Sequence, residues 1–374
     1  LLQTIKRVNQ QTAAVNNRQL VIRLLQEQGP LSRSQLVKMT DLRGSTLTYI
    51  TRELLQMDML VAAGRRESTT VGQKQQLLQI NPDYGWVLGI DLREGKSQVI
   101  IMDAAGQLIG DCLINTDKDL DGLEEVLPNL IEKCAADFDI QADKLLGIGM
   151  GVSGIVDVQK GSIITSLQFG VSDYPLASKL TEALNVPVKL DHDGNFIALA
   201  EQQQGNARGF NDFVVLIMDD QINGNEVSFR SFGSALVLHG RVHRGCQFAA
   251  GEIGQRLIPQ ISQKGSLSDL KVLADAQAPI SPWLSHVCQE VGLTIAALVN
   301  LLDPQAVLLA GDSPIANRAF IQEMQKQINQ QRIGTLPQPL DVYTCAFSTQ
   351  SCARGAALAT RDAMLAEAVA NHIR

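Results

Sequence analysis

The sequence predicts an α/β protein built as an N-terminal winged helix-turn-helix followed by a larger body. Three observations carry this prediction. Three short helical segments with capping and turn signals precede residue 57, apolar strands alternate with helices beyond residue 85, and charge divides sharply between the two parts. Residues 1–80 hold 11 Lys and Arg against 5 Asp and Glu, a net of +6. The whole-chain charge of −7 then leaves −13 on the remainder. A basic module on an acidic body points to a polyanionic partner for the module alone.

At 374 residues the chain is too long for one core, and two or three domains are expected. No run reaches the roughly 18 apolar residues of a membrane span. The first 20 residues are interrupted by Lys6, Arg7, Asn9, Gln10, Asn16, Asn17 and Arg18, which is unlike an apolar leader. A cytoplasmic protein without membrane contact is therefore expected. The six cysteines form no C-x-x-C pair, which fits unpaired thiols in a reducing compartment.

Within the module, 15–28 places Leu20, Val21, Leu24 and Leu25 at helical spacing and stops at Gly29-Pro30. Ser32 and Gln35 form a capping box for a second helix, with Leu36, Val37 and Met39 as its buried side and Thr40-Asp41 as its stop. The third helix is expected over 44–56. Leu47, Ile50 and Leu54 face the core, while Ser45, Thr48, Tyr49, Arg52 and Gln56 cluster opposite, with Thr46 beside them. That face bears hydroxyl, amide and guanidinium groups and no acid, the chemistry that reaches base edges and phosphates in a major groove. Glu53 falls on the flank. Met59-Leu60-Val61, a Gly64-Arg65-Arg66 tip and the returning Leu77-Leu78-Gln79-Ile80 predict a two-stranded wing, with Arg65, Arg66 and Lys74 as its cations.

Asn81-Pro82-Asp83-Tyr84-Gly85 is a turn-rich joint. Strands are expected over 86–92, 97–103 and 108–114, then a helix over about 120–138. A buried strand over 145–151 runs into the loop Gly151-Val152-Ser153-Gly154, and a strand over 187–193 leads directly into a helix at Gly194. Ligands of such bodies bind at the carboxyl ends of the strands. No repeat of 20–50 residues is visible.

The order of helix-turn-helix, GIDL (89–92), VIIMD (99–103), GIGMGVSGIVD (147–157), LDHDGNFIALAE (190–201), HRGCQFAAGEIGQ (243–255) and NLLDPQAVLLAGD (300–312) resembles the ROK family of repressors and sugar kinases. Within it, the chain is most similar to the xylose-, N-acetylglucosamine- and glucose-responsive repressors. The resemblance implies a two-lobed, actin-like sugar-kinase body. Domains are expected over 1–80 for DNA binding, over 81–193 for a first lobe completed by about 353–374, and over 194–352 for a second lobe with a dimerisation surface. It also implies sugar contacts at Ser153, Gly154, His192, Asp193, Glu252 and Gln255.

The kinase chemistry of the family is not expected here. Its first phosphate loop reads D-x-G-G-T, where this chain has Asp91-Leu92-Arg93-Glu94-Gly95-Lys96. Glu94 would set a carboxylate beside a phosphate, a repulsion on the order of several kcal/mol in a partly buried site. The second loop, G-T-G-x-G, is replaced after 214–218 by DDQINGNEVSFRSFG, which reads as an insertion retaining only Gly233. The family zinc site needs a histidine where Gln255 stands and a cysteine trio beyond it, and 256–275 holds no cysteine. No catalytic residue, metal or cofactor is therefore assigned.

The expected function is a DNA-binding regulator, a repressor of carbohydrate-related genes. Its partners are a double-stranded DNA operator, a sugar or sugar-phosphate effector between the lobes, and a second copy in a homodimer or higher oligomer. The competing readings are a repressor of the same architecture controlled by a protein partner, and an active kinase. A core role on the first lobe is expected for a C-terminal helix over about 353–371.

Overall fold

The computed structural model describes residues 10–66, 75–261, 264–269, 279–311, 318–333 and 338–372, without the side chains at 10, 65, 66, 230 and 255. The N-terminal module comprises α1 (Gln10–Gln28), β1 (Leu31–Ser32), α2 (Arg33–Thr40), α3 (Gly44–Gln56), β2 (Leu60–Arg66) and β3 (Gln75–Ile80). The three strands form one sheet in the order β1-β3-β2. Ser32 caps α2 through the complete capping box with Gln35, and Asp41 ends that helix in the left-handed region. Val21, Ile22, Leu25, Leu36, Leu47, Ile50, Leu54, Met59 and Leu60 make the module core.

Two residues expected in that core are not there. Leu20 and Met39 are 37% and 46% exposed, because each helix buries a narrower stripe than its apolar pattern offers. The wing is also longer than expected. Arg65 and Arg66 are not its tip but pair in register with Gln76 and Gln75, past a bulge at Gly64. Lys74 lies outside the described residues.

The body contains two sheets that share one five-stranded topology, the second extended by a short sixth strand. In the first, β4 (Trp86–Leu92), β5 (Gly95–Asp103) and β6 (Leu108–Thr116) form a meander, and β7 (Leu145–Val152) and β11 (Val188–His192) add in parallel to β4, giving β11-β7-β4-β5-β6. In the second, β12 (Phe213–Asn223), β13 (Glu226–Leu238) and β14 (Arg241–His243) form the meander. The strands β16 (Ala306–Gly311) and β17 (Asp341–Thr344) add in parallel to β12. The duplication is topological, which is why no repeat shows in the sequence. β15 (Gly265–Ser266) pairs with β13, and β8 (Ile155–Asp157), β9 (Ser162–Ser166) and β10 (Val171–Tyr174) form a small separate sheet.

Helices cover both sheets. α4 (Leu123–Asp137), which starts after a 3-10 turn over Leu120–Gly122, and α5 (Leu176–Leu184) pack on the first. α6 (Asp193–Gln203) follows β11, and α7 (Gly254–Gln260) lies against β13. α8 (Pro282–Leu302) and α9 (Arg318–Gln330) cover the second sheet. α8 is long and apolar enough to cross a membrane, contrary to the expectation from sequence, but half of its most apolar window is buried in the protein. Its Val287, Cys288, Val291, Ile295 and Val299 belong to the second core.

The last helix, α10 (Ser351–His372), returns from the second sheet to lie on β4 and β7 of the first. Glycines make this contact possible. A Cβ on Gly89 would stand 1.9 Å from the Ala353 carbonyl oxygen, and one on Gly149 would stand 2.3 Å from that of Ala356. α10 does more than the core role expected of it. Its Leu365 and Val369 enter the module core, so one helix spans body and module.

Candidate functional site

Two constellations stand out, an exposed helix face and a cleft between the sheets. On α3, Leu47, Ile50, Thr51 and Leu54 are buried, which leaves Ser45, Thr48, Tyr49, Arg52 and Gln56 exposed and Thr46 half-buried. Tyr49 is 52% exposed. Two guanidiniums approach its ring, those of Arg18 and Arg52, each 5.7 Å from the centroid. Arg18 also pairs with Glu53, its Nε donating over 3.1 Å to Oε2. The one acid of α3 is thus turned toward α1 and neutralised.

Thr48 donates its hydroxyl to Gly44 O at 2.8 Å, and Arg33 of α2 donates Nε to Thr51 Oγ1 at 2.8 Å, fixing α2 against α3. Arg43, the exposed residue at the N-cap of α3, was missed by sequence reasoning because it sits in the turn rather than on the helix face. Recognition helices use their N-terminal residues on base edges, so its position is the signal that could have found it.

The cleft lies at the carboxyl ends of β4, β7 and β11, which end in register at Leu92, Val152 and His192. Ser153 and Gly154 follow β7, both half-buried, and Ser153 O accepts the Ser166 hydroxyl at 2.7 Å. His192 Nε2 stands 3.1 Å from Asp193 Oδ1 and 3.8 Å from Glu252 Oε1, so these three side chains come together. Glu252 follows Gly251, whose φ of +94° seats its backbone against β13, where a Cβ would stand 2.1 Å from Ser234 O. Gln255 is in the first turn of α7, with its side chain outside the described set.

Two arginines that sequence reasoning did not assign cross this cleft. Arg93 Nε donates to Asp91 Oδ2 at 2.9 Å, and its Nη1 lies 3.7 Å from Asp219 Oδ1 of β12. Arg244, after β14, donates Nε to Asp191 Oδ2 at 3.0 Å. Asp191 also accepts from the His192 N–H and from Asn195 Nδ2. Burial pushes the Asp91 carboxyl up to about 6; Arg93 opposes the shift, Asp193 adds to it, and the Cys352 thiol hydrogen-bonds the group.

Neither kinase loop has the form the resemblance implies. Glu94 is exposed at the β4–β5 turn, and it is Arg93, not Glu94, that turns into the cleft. The stretch after Met218 is no loop. It continues as a β12–β13 hairpin closed by the two-residue Gly224-Asn225 turn, pairing Asn223 with Glu226. Phosphate cradles need converging backbone N–H groups, and here the backbone is drawn out into a ladder.

Residues 87–267 match the ROK family. The chain is 24% identical over 359 residues to the xylose repressor of Caldicellulosiruptor bescii, covering 84% of this chain and 87% of that protein. A crystal structure of a ROK family transcriptional regulator, homologous to the Escherichia coli Mlc protein, superposes with a TM-score of 0.76 at 22% identity, over 96% of this chain and 100% of that one. A ROK family glucokinase from Streptomyces griseus, solved with glucose and AMPPNP, superposes at 0.59 and 16% identity over 74% of this chain and 99% of its own.

Proposed function

From the ROK domain that this chain carries, we infer that it is a DNA-binding transcriptional regulator, a repressor of carbohydrate-related genes that senses a sugar between its two sheets. The observation that carries the reading is α3. A helix that buries Leu47, Ile50 and Leu54 and presents Ser45, Thr48, Tyr49, Arg52 and Gln56 has the shape and chemistry of a major-groove reader. Thr46, Arg65, Arg66 and Lys74 are assigned to the same interface. The module is assigned to 1–80, the first lobe to 81–193 with 353–374, and the second lobe to 194–352.

The chain works as a dimer, as operators with two half-sites require. Leu293 and Leu301 of α8, 39% and 77% exposed, supply an apolar surface for the contact. Signalling follows α10. Its first turn carries Cys352, bonded to Asp91 in the cleft, while Leu365 and Val369 lie in the module core. Near its end, His372 Nε2 stands 3.6 Å from Glu53 Oε1 on α3. An effector at Ser153, Gly154, His192, Asp193, Glu252 and Gln255 that favours one lobe angle would move both ends of this helix. Operator affinity then shifts by the difference in effector affinity between the two states.

The protein acts without catalysis. The β12–β13 hairpin and the Arg93 bridge support this part of the reading, since both stand where the family kinases hold phosphates.

The test is retention of fragments of its own genome. A defined fragment held by the protein and lost in Arg52→Ala and Tyr49→Ala, with both variants folded, is expected. Unchanged retention in those variants, or equal retention of all fragments, overturns it.

A further inference from the structure

Among the described residues, carboxylates outnumber cations in the cleft. Asp91, Asp191, Asp193, Asp219 and Glu252 converge on it, against the guanidiniums of Arg93 and Arg244. Both guanidiniums are engaged within the chain, Arg244 by Asp191 and Arg93 by Asp91 and Asp219. Asp193 and Glu252 flank His192 with acceptor capacity to spare.

Asp219 adds an independent sign. It is 6% exposed, and its Oδ2 accepts the Ser231 hydroxyl at 2.8 Å. Among the described residues its Oδ1 is buried without a hydrogen-bond donor, with Arg93 Nη1 at 3.7 Å as its ionic neighbour. A buried carboxylate oxygen in this state is relieved by any ligand that brings an N–H or O–H to it. A phosphate brings only acceptors and a charge of about −1.5 to −2, so it meets repulsion from every carboxylate here. An ammonium brings three donors and the opposite charge.

On the sugar-sensing reading given above, we propose that the effector is an amino sugar with a free amine, its ammonium held by Asp219 and its hydroxyls by Asp193 and Glu252. Sugar phosphates and nucleotides are excluded by the same carboxylates. Asp219 is then the residue that sets specificity, and the bridge it shares with Arg93 loosens as the ammonium enters.

Calorimetry on the full chain tests this with glucosamine, galactosamine and mannosamine, each beside its parent hexose and its hexose 6-phosphate. A pH of about 6.5 keeps such amines protonated. One amino sugar is expected to bind at least about tenfold tighter than both counterparts. Asp219→Asn should bring it down to the affinity of the hexose. The comparison among ligands uses the unaltered protein, so it stands even if that variant fails to fold. Equal affinity for amine and hexose, or tightest binding of a 6-phosphate, overturns the proposal and leaves sugar sensing intact. No binding by any of the sugars overturns sugar sensing and this proposal together, while operator retention stays as a separate result.

Discussion

Gln26 of α1 donates its side-chain amide to Asp362 Oδ1 of α10 at 2.8 Å, joining the N-terminal module to the body. Asp362 Oδ1 also takes Arg361 Nε at 2.8 Å, and Oδ2 takes Gln203 Nε2 of α6 at 2.9 Å. One carboxylate therefore ties three helices, α1, α6 and α10, at the junction.

Asp362→Ala should cost about 1.5–3 kcal/mol, because it removes the charge-assisted hydrogen bonds of the buried Arg361 guanidinium. Gln26→Ala, which removes only the bond from the module, should cost about 1 kcal/mol. Denaturant unfolding measures both, and equal losses in the two variants would refute this division.

The glycine contacts under α10 predict a sharp contrast. Gly89→Ala puts a methyl 1.9 Å from a carbonyl oxygen, so helix or strand must shift, at a cost of about 1–3 kcal/mol or more. Gly122→Ala, where nothing lies within 4 Å, should stay within about 0.5 kcal/mol of the parent. Thermal melts of the two variants decide it.

Asp91 predicts the pH dependence of stability. Its pKa is about 6 in the folded chain against 3.8 for the free side chain, so the native state holds the proton more tightly. Stability contributed by this group is complete below pH 3.8 and is lost as pH rises through about 6. The loss is on the order of 3 kcal/mol. Asp91→Asn should flatten that part of the stability–pH curve, and an unchanged slope between those values would count against the assignment.

Restoring glycines to the first loop should not restore phosphoryl transfer. Arg93→Gly with Glu94→Gly opens the end of β4, but the β12–β13 hairpin still stands where the second cradle would be. No phosphorylated hexose is expected above background from ATP and a hexose panel; measurable turnover would reverse the non-catalytic reading.

The sequence by itself determined the α/β class, the capped helices of the module and the outward face of α3. Each of these follows from local chemistry: the Ser32–Gln35 cap, the spacing of Leu47, Ile50 and Leu54, and the alternation of strands with helices. It also showed that LDHDGN ends a strand and opens a helix, which placed His192 and Asp193 at a carboxyl edge. Tertiary structure decided the rest, because it depends on partners distant in sequence. Arg93 reads locally as the loss of a glycine; only the arrival of Asp219, 126 residues later, makes it a bridge. The insertion after Met218 became a hairpin because its halves pair with each other, register that periodicity alone does not fix. The reach of α10 from cleft to module was hidden for the same reason, since its Gly89 and Gly149 seats and its Leu365 and Val369 contacts lie in separate parts of the chain.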